Sequence, residues 1–270
     1  MLALSGQAFG AELDADEARS VVHAAFDLGV DFVVTSDRAG DGDAEAALAP
    51  ALVGIRDELV VATTFGTFGP PTTFHGMDPQ GGDPRWVRQA VDNSLRRLAT
   101  DWIDLYLFDR PDPRVEIEHT MEAMHALVVA GKVRGIGLAD FPIELADEAR
   151  QATQELNLTP VATVVAEYSL SQRAAEQELL GWCAEHATPL VAREPGPADQ
   201  AGPPRRDEFA RSLDRSTRQL ELAYVLGRPE VASLVLPVTD IHGVAASVTA
   251  LGWELTADER SEIEEMHADR

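Results

Sequence analysis

The stretch RWVRQAVDNSLRRLATDWIDLYLFDRPDP, residues 85–113, joins a helix pattern to a strand pattern. The helix pattern follows Pro84, and proline is favoured in the first turn of a helix. The run WIDLYLF, residues 102–108, then has the length and apolar character of a buried strand. This helix–strand unit is the pattern that repeats along the rest of the chain.

The repetition predicts eight strands that alternate with helices. The strand patterns fall at 2–4, 31–36, 58–66, 102–108, 133–139, 161–167, 189–192 and 232–237. The helix patterns fall at 14–29, 43–55, 85–99, 116–131, 142–156, 172–187, 207–227, 240–251 and 256–268. Strands that are apolar throughout are typical of a parallel sheet covered on both faces. The order predicts an α/β fold, a (β/α)8 TIM barrel that forms one domain over residues 1–270, with a doubly wound open sheet as the alternative.

Composition excludes several classes of function. The chain of 270 residues carries 46 acidic and 22 basic side chains, a net charge of −24. Such a surface repels phosphate backbones and anionic lipids, so we expect no nucleic-acid partner and no membrane binding. The start of the chain lacks the pattern of a signal peptide, and its lone cysteine, Cys183, can form no internal disulfide. We therefore expect a cytoplasmic protein.

The basic residues are almost all arginine. Lys132 is the single lysine, so the other basic residues are arginines. Two explanations fit this composition, a GC-rich genome or adaptation to high salt, in which salt screens a dense carboxylate surface. The size of the net charge favours high salt.

Several blocks of the sequence resemble the aldo-keto reductase family. Besides residues 85–113, they are DLGVDFVVTSDRAG (27–40), ELVVATTFG (58–66), AGKVRGIGLAD (130–140), EYSLSQR (167–173) and LGWELTADERSEI (251–263). The resemblance implies a (β/α)8 barrel that is shorter than most members at the N-terminus and in the loop 193–206. It also implies an activity, the reduction of carbonyls by NADPH with a tetrad of Asp, Tyr, Lys and His.

The positions that the resemblance assigns to the tetrad hold other residues. They are Val34 for the Asp, Ala39 for the Tyr, Thr64 for the Lys and Asp109 for the His. Val34 and Ala39 can neither donate a proton nor carry a charge, and Thr64 cannot lower the pKa of a neighbouring acid. A positioned acid–base group contributes about 10²–10⁴ in rate. We expect carbonyl reduction to be absent or very weak.

The positions that resemble the dinucleotide site are altered as well. The phosphate-binding segment after the last strand has Val238, Asp240 and Val248 at its motif positions, and the position of a glutamine before the EYSL block is Val165. The nicotinamide-binding positions correspond to Asp140 and Arg193. We expect no bound cofactor, with NADP as the alternative.

Polar residues at the predicted strand ends form a candidate pocket. They are Asp109, Arg110, Asp140, Glu167, Arg193 and Glu194, together with His75 in the long loop after the third strand. Asp109, Asp140 and Glu167 follow neighbouring strands, so their charges need compensation. The arginines could supply it, and so could a divalent cation, although we predict no metal site.

Three functions remain open on the sequence alone. The first is a non-reductase barrel, a pseudoenzyme that binds a small molecule or a protein partner. The second is an NADP-dependent oxidoreductase with an altered active site. The third is a lyase or isomerase that works through the carboxylates and arginines of the candidate pocket.

Overall fold

The computed structural model describes residues 1–66, 81–194, 204–237 and 240–268. The strands of this part of the chain are β1 (Leu2–Ser5), β2 (Phe32–Ser36), β3 (Val60–Phe65), β4 (Ile103–Asp109), β5 (Val133–Ala139), β6 (Val161–Glu167), β7 (Leu190–Arg193) and β8 (Val231–Pro237). The helices are α1 (Ala15–Asp27), α2 (Asp43–Leu52), α3 (Pro84–Leu98), α4 (Ile117–Val129), α5 (Ile143–Glu155), α6 (Leu179–His186), α7 (Pro204–Ser212), α8 (Thr217–Leu226), α9 (Ile241–Val248) and α10 (Ala257–Ala268).

The strands close into a barrel in chain order. Every neighbouring pair is parallel, and β1 pairs with β8 through the register Leu4 with Leu236. Closure leaves the sheet without a free edge, which an open doubly wound sheet would have. The predicted (β/α)8 barrel is therefore confirmed and the open sheet is wrong. That residues 1–270 form one domain stays a prediction.

Alternate residues of each strand build two apolar cores. The inner core takes one side chain from each strand and fills the barrel, as a TIM barrel requires. Its buried members are Ala3, Phe32, Ala62, Leu107, Ala139, Val165, Val191 and Val235. The outer core packs the opposite strand faces against the helices, for example Tyr106 and Phe108 of β4 against Met121 and Met124 of α4. Along the barrel axis, polar side chains therefore have room only at the ends of the strands.

Two predicted helices prove to be interrupted. The helix predicted at 207–227 is wrong as one unit, because α7 ends before Asp214, whose backbone is left-handed, and α8 restarts at Thr217. Ser216 caps the restart by accepting from the Gln219 backbone while the Gln219 side chain accepts in return, a capping box. The helix predicted at 172–187 is a short 3-10 turn, Ala174–Glu176, followed by α6. The capping box at Ser216 is a local feature that apolar periodicity does not report.

Within the described ranges, none of the helices combines the length and the apolar character needed to span a bilayer.

Candidate functional site

The carboxyl ends of β4 to β7 carry a cluster of charged side chains. Asp109 and Arg193 are the last residues of β4 and β7, and Glu167 is the last residue of β6. Register places Asp109 beside Ala139 and Glu167 beside Arg193. Asp140 follows β5 directly, so the fold brings these predicted residues to one rim, which we call the barrel mouth.

Arg193 forms ion pairs with two of the carboxylates at the mouth. Its guanidinium donates to both oxygens of Asp140, at 3.1 Å (Oδ1) and 2.9 Å (Oδ2). It also lies 3.5 Å from Glu167 Oε1. Burial disfavours the charged guanidinium, but Asp140 and Glu167 outweigh burial, so the pKa of Arg193 lies above its ordinary value. The mouth is therefore crossed by a charge-assisted bridge from β7 to β5 and β6.

Asp109 and Arg110 form a looser pair on the same rim. The Arg110 Nε lies 3.8 Å from Asp109 Oδ1, and 61% of the Arg110 side chain is exposed. The backbones of Arg110 and Asp140 are both left-handed, at φ 65° and 52°. Each of these residues donates its N–H to the next strand, Arg110 to Ala139 and Asp140 to Val165. The ladder thus holds two strand ends in a costly conformation, which is common at functional sites.

Glu194 has a different partner from the residues of the Arg193 bridge. Its carboxylate pairs with Arg218 of α8, and only 5% of its side chain is exposed. Burial raises the pKa of Glu194, although the hydrogen bond from Arg218 opposes that rise. The structure therefore gives this predicted pocket residue a partner of its own, behind β7.

A second polar cluster lies behind β3, and the sequence did not point to it. The buried Glu45 of α2 accepts from Thr63 Oγ1 at 2.6 Å and from Arg97 Nε at 2.6 Å. Asp37, at the end of β2, lies near this pair. Burial and the charge of Glu45 raise the pKa of Asp37 to about 7, with Arg97 opposing. The sequence did hold a signal that Glu45 would be buried. Glu45 precedes the buried Leu48 and Leu52 by three and seven residues, which places all three on one face of the helix.

Of the three remaining positions that the family resemblance assigns to the tetrad, two hold apolar residues. Val34 packs against the inner core, and Ala39 lies on a 3-10 turn against the outer core. Thr64 is the half-buried neighbour of Ser36 near the mouth. Lys132, the single lysine, precedes β5 at the opposite end of the barrel and pairs with Asp92. No lysine can therefore serve the mouth.

The segment after β8 also differs from an open anion site. Asp240 caps α9, and its side chain accepts from the Gly243 backbone N–H at 2.9 Å. Val165 lies in the inner core, and Val248 ends α9, packed against the outer core. Val238 lies outside the described residues, as does His75. In the part of the chain that the structure describes, no three His, Cys, Asp or Glu side chains are placed to share a metal ion.

Comparison with known proteins identifies the fold's relatives. The profile of the Aldo/keto reductase family matches residues 2–198, most of the chain.

The chain belongs to the aldo/keto reductase family.

A curated relative, aldo-keto reductase YhdN of Bacillus subtilis (strain 168), is 33% identical over 178 residues. The match covers 63% of this chain and 50% of the relative, so the chain spans about half the length of the curated relative it matches.

Solved structures support the architecture over nearly the whole chain. The thermostable aldo-keto reductase Tm1743 superposes with a TM-score of 0.85 at 22% identity, covering 98% of this chain and 94% of that one. The aldo-keto reductase AKR11C1 from Bacillus halodurans, in its holo form, gives 0.79 at 25% identity, covering 98% and 91%. The glycerol dehydrogenase AKR11B4 from Gluconobacter oxydans gives 0.84 at 21% identity, covering 99% and 91%. The predicted family is thus confirmed.

Proposed function

We propose that this chain is a non-reductase member of the aldo/keto reductase family, a barrel that binds a ligand or partner at its mouth without transferring hydride. The observation that carries the proposal is the bridge from Arg193 to Asp140 and Glu167. Asp140 and Arg193 hold the positions that the family resemblance assigns to nicotinamide recognition, and Glu167 is the neighbour of Arg193. The bridge therefore ties three charged side chains together at that place.

The residues at the tetrad positions support the same conclusion. Reduction of a carbonyl needs a proton donor beside the oxygen that becomes negative. Val34 and Ala39 have no dissociable proton, and Thr64 carries no charge that would acidify a donor. Asp109 places a carboxyl, a group that is ordinarily ionised at neutral pH, where the family resemblance implies a histidine. The four tetrad positions would therefore supply no general acid to a hydride transfer.

The described residues at the dinucleotide positions do not fit a bound dinucleotide. A phosphate at the N-terminus of a helix needs free backbone N–H groups. At α9 the Asp240 carboxylate occupies the Gly243 N–H, and it would also repel a phosphate. At the other end, the Arg193 guanidinium is held by carboxylates at the position where the family resemblance implies an aromatic ring that stacks on nicotinamide. We therefore derive no step through NADP(H).

The charges of the mouth also limit what it would bind. Asp109, Asp140 and Glu167 face a single bridging arginine, with Arg110 directed largely to solvent. An anionic ligand would meet a net negative rim, whereas hydroxyl and amine groups can donate to the carboxylates. The proposed ligand is therefore an uncharged or cationic molecule or protein segment.

A titration with NADPH tests the proposal. Nicotinamide fluorescence is followed as the protein is added, with an NADPH-binding reductase as positive control. We expect no saturable change, because neither the phosphates nor the ring finds a matching group. The variant Asp240→Ser retains a capping side chain but removes one repelling charge, and we expect it to raise binding only slightly. Micromolar affinity in the unmodified protein would overturn the proposal and favour an oxidoreductase with an altered site.

A further inference from the structure

A groove on the outside of the barrel lies between the loop after β4 and helix α5. Its volume is about 710 Å³, within the range of pockets that take small organic ligands. Phe108 and Phe141 line its floor, with ring centroids 5.3 Å apart in an edge-to-face arrangement. The half-buried Ile117 and Leu145 extend the apolar surface on either side. Phe108 belongs to the outer core, so the groove opens away from the barrel mouth.

The rims of the groove carry charge of one sign. Glu116 and Glu118 stand at the start of α4, and Glu148 and Glu155 stand on α5. All four are exposed, and among the described residues no lysine, arginine or histidine lines the groove. In the described part of the chain, none of the four forms an ion pair with a basic side chain, whereas Asp112, at the back of the groove, is paired with Arg114.

The glutamates also have a regular spacing along the groove. Glu148 and Glu155 are seven residues apart on one helix, which is two turns or roughly 10 Å along the axis. Ala152, buried between them, offers no side chain that would fill the space above the floor. The groove therefore has an apolar middle. Two carboxylates, Glu148 and Glu155, lie along its α5 side, and Glu116 and Glu118 lie on its α4 side.

We propose that this groove binds an elongated organic cation, an aliphatic molecule that carries an ammonium group at one or both ends. The apolar chain would cover the half-buried Phe141, Ile117 and Leu145, and the ammonium groups would lie against the glutamates. Aromatic rings add attraction for a cation that approaches their faces. Charge complementarity selects this class, because ammonium groups are attracted by the carboxylates, whereas a neutral chain gains no such attraction and an anion would be repelled.

Calorimetric titration with decamethylenediamine tests the proposal, with decamethylene glycol as the uncharged analogue of equal length. We expect the diamine to bind and the glycol to bind at least several-fold more weakly. In a double variant, Glu148→Gln with Glu155→Gln, we expect the diamine to bind roughly fivefold more weakly, as for the loss of two partly exposed ion pairs. The matched control is Glu122→Gln on α4 with Glu144→Gln on α5, which removes the same charge at positions outside the groove and should leave the affinity nearly unchanged.

A second variant tests the apolar floor independently of charge. Leu145→Trp, at a half-buried position, should narrow the groove and weaken the diamine without changing the net charge. Equal affinity for diamine and glycol, or equal losses in the groove and control double variants, would overturn the proposal. So would a basic amphipathic peptide that binds the groove while the diamine does not, because the occupant would then be a protein segment.

Discussion

Replacing Arg193 with methionine removes the bridge at the barrel mouth while keeping a side chain of similar length. Arg193 donates to Asp140 at 2.9 and 3.1 Å and lies 3.5 Å from Glu167. Losing one partner of a fully buried ion pair costs about 3–5 kcal/mol, whereas an exposed pair contributes about 0.2–1 kcal/mol. Here 29% of the Arg193 side chain and 23% of the Asp140 side chain are exposed. We therefore expect a loss of about 2 kcal/mol in the free energy of unfolding.

Urea unfolding followed by circular dichroism measures this loss. With a slope of about 3 kcal/mol per molar urea, the midpoint of the variant should fall by roughly 0.7 M. The matched control is Arg110→Met on the same rim, where 61% of the side chain is exposed and the nearest carboxylate contact is 3.8 Å. We expect the control to lose less than about 0.5 kcal/mol. If both variants lose the same amount, Arg193 does not organise the mouth and the reasoning is refuted.

Three further changes test other parts of the structure. Glu176 accepts from Tyr168 and Tyr224, each at 2.8 Å, which helps lower its pKa from 4.5 to about 2 against the effect of burial. The folded protein should lose that stabilisation as the pH falls from about 4.5 to 2. The variant Glu176→Gln should lose about 2 kcal/mol of unfolding free energy at pH 7, measured by urea titration. An unchanged urea midpoint would contradict the role of this hydrogen-bond network. Asp37, with its pKa raised to about 7, keeps its proton when folded but ionises near 3.8 when unfolded, so stability should fall as the pH rises from about 4 to 7. Asp37→Asn should abolish that fall in stability, which is roughly 1–3 kcal/mol after a reduction for solvent screening. If the stability of the variant and of the unmodified protein depended on pH in the same way, the raised pKa would be contradicted. Arg110→Gly should raise the melting temperature slightly, by relief of about 0.5–1 kcal/mol of left-handed strain, and a lower melting temperature would contradict it.

The sequence was sufficient for the arrangement of the mouth because a barrel in chain order fixes which strand ends are neighbours. Asp140 and Glu167 were expected to need a counter-charge, and Arg193 lies within reach of both. It was not sufficient for the direction of individual side chains. Glu194 turns to Arg218, because the residue after a strand end can face either the mouth or the helices.

Contacts between distant segments were the other part that the sequence could not provide. The hydrogen bonds from Thr63 and Arg97 to Glu45 join three elements. They depend on the register between β3 and its covering helices, which periodicity alone does not specify. The break between α7 and α8 was missed for a different reason. The apolar pattern of residues 207–227 continues across the break. The capping box of Ser216 and Gln219, however, begins a new helix there.

Hydride transfer under single-turnover conditions tests most directly whether this barrel has lost the family's chemistry. Excess protein is mixed with NADPH and a reactive aromatic aldehyde, and the nicotinamide absorbance is followed beside the variant Asp109→Asn. Asp109 is the one ionisable group among the four tetrad positions, so any activity of the protein itself at this mouth should depend on it. We predict no oxidation of NADPH above the protein-free rate in either sample. Protein-dependent oxidation that Asp109→Asn abolishes would contradict the proposed non-reductase function.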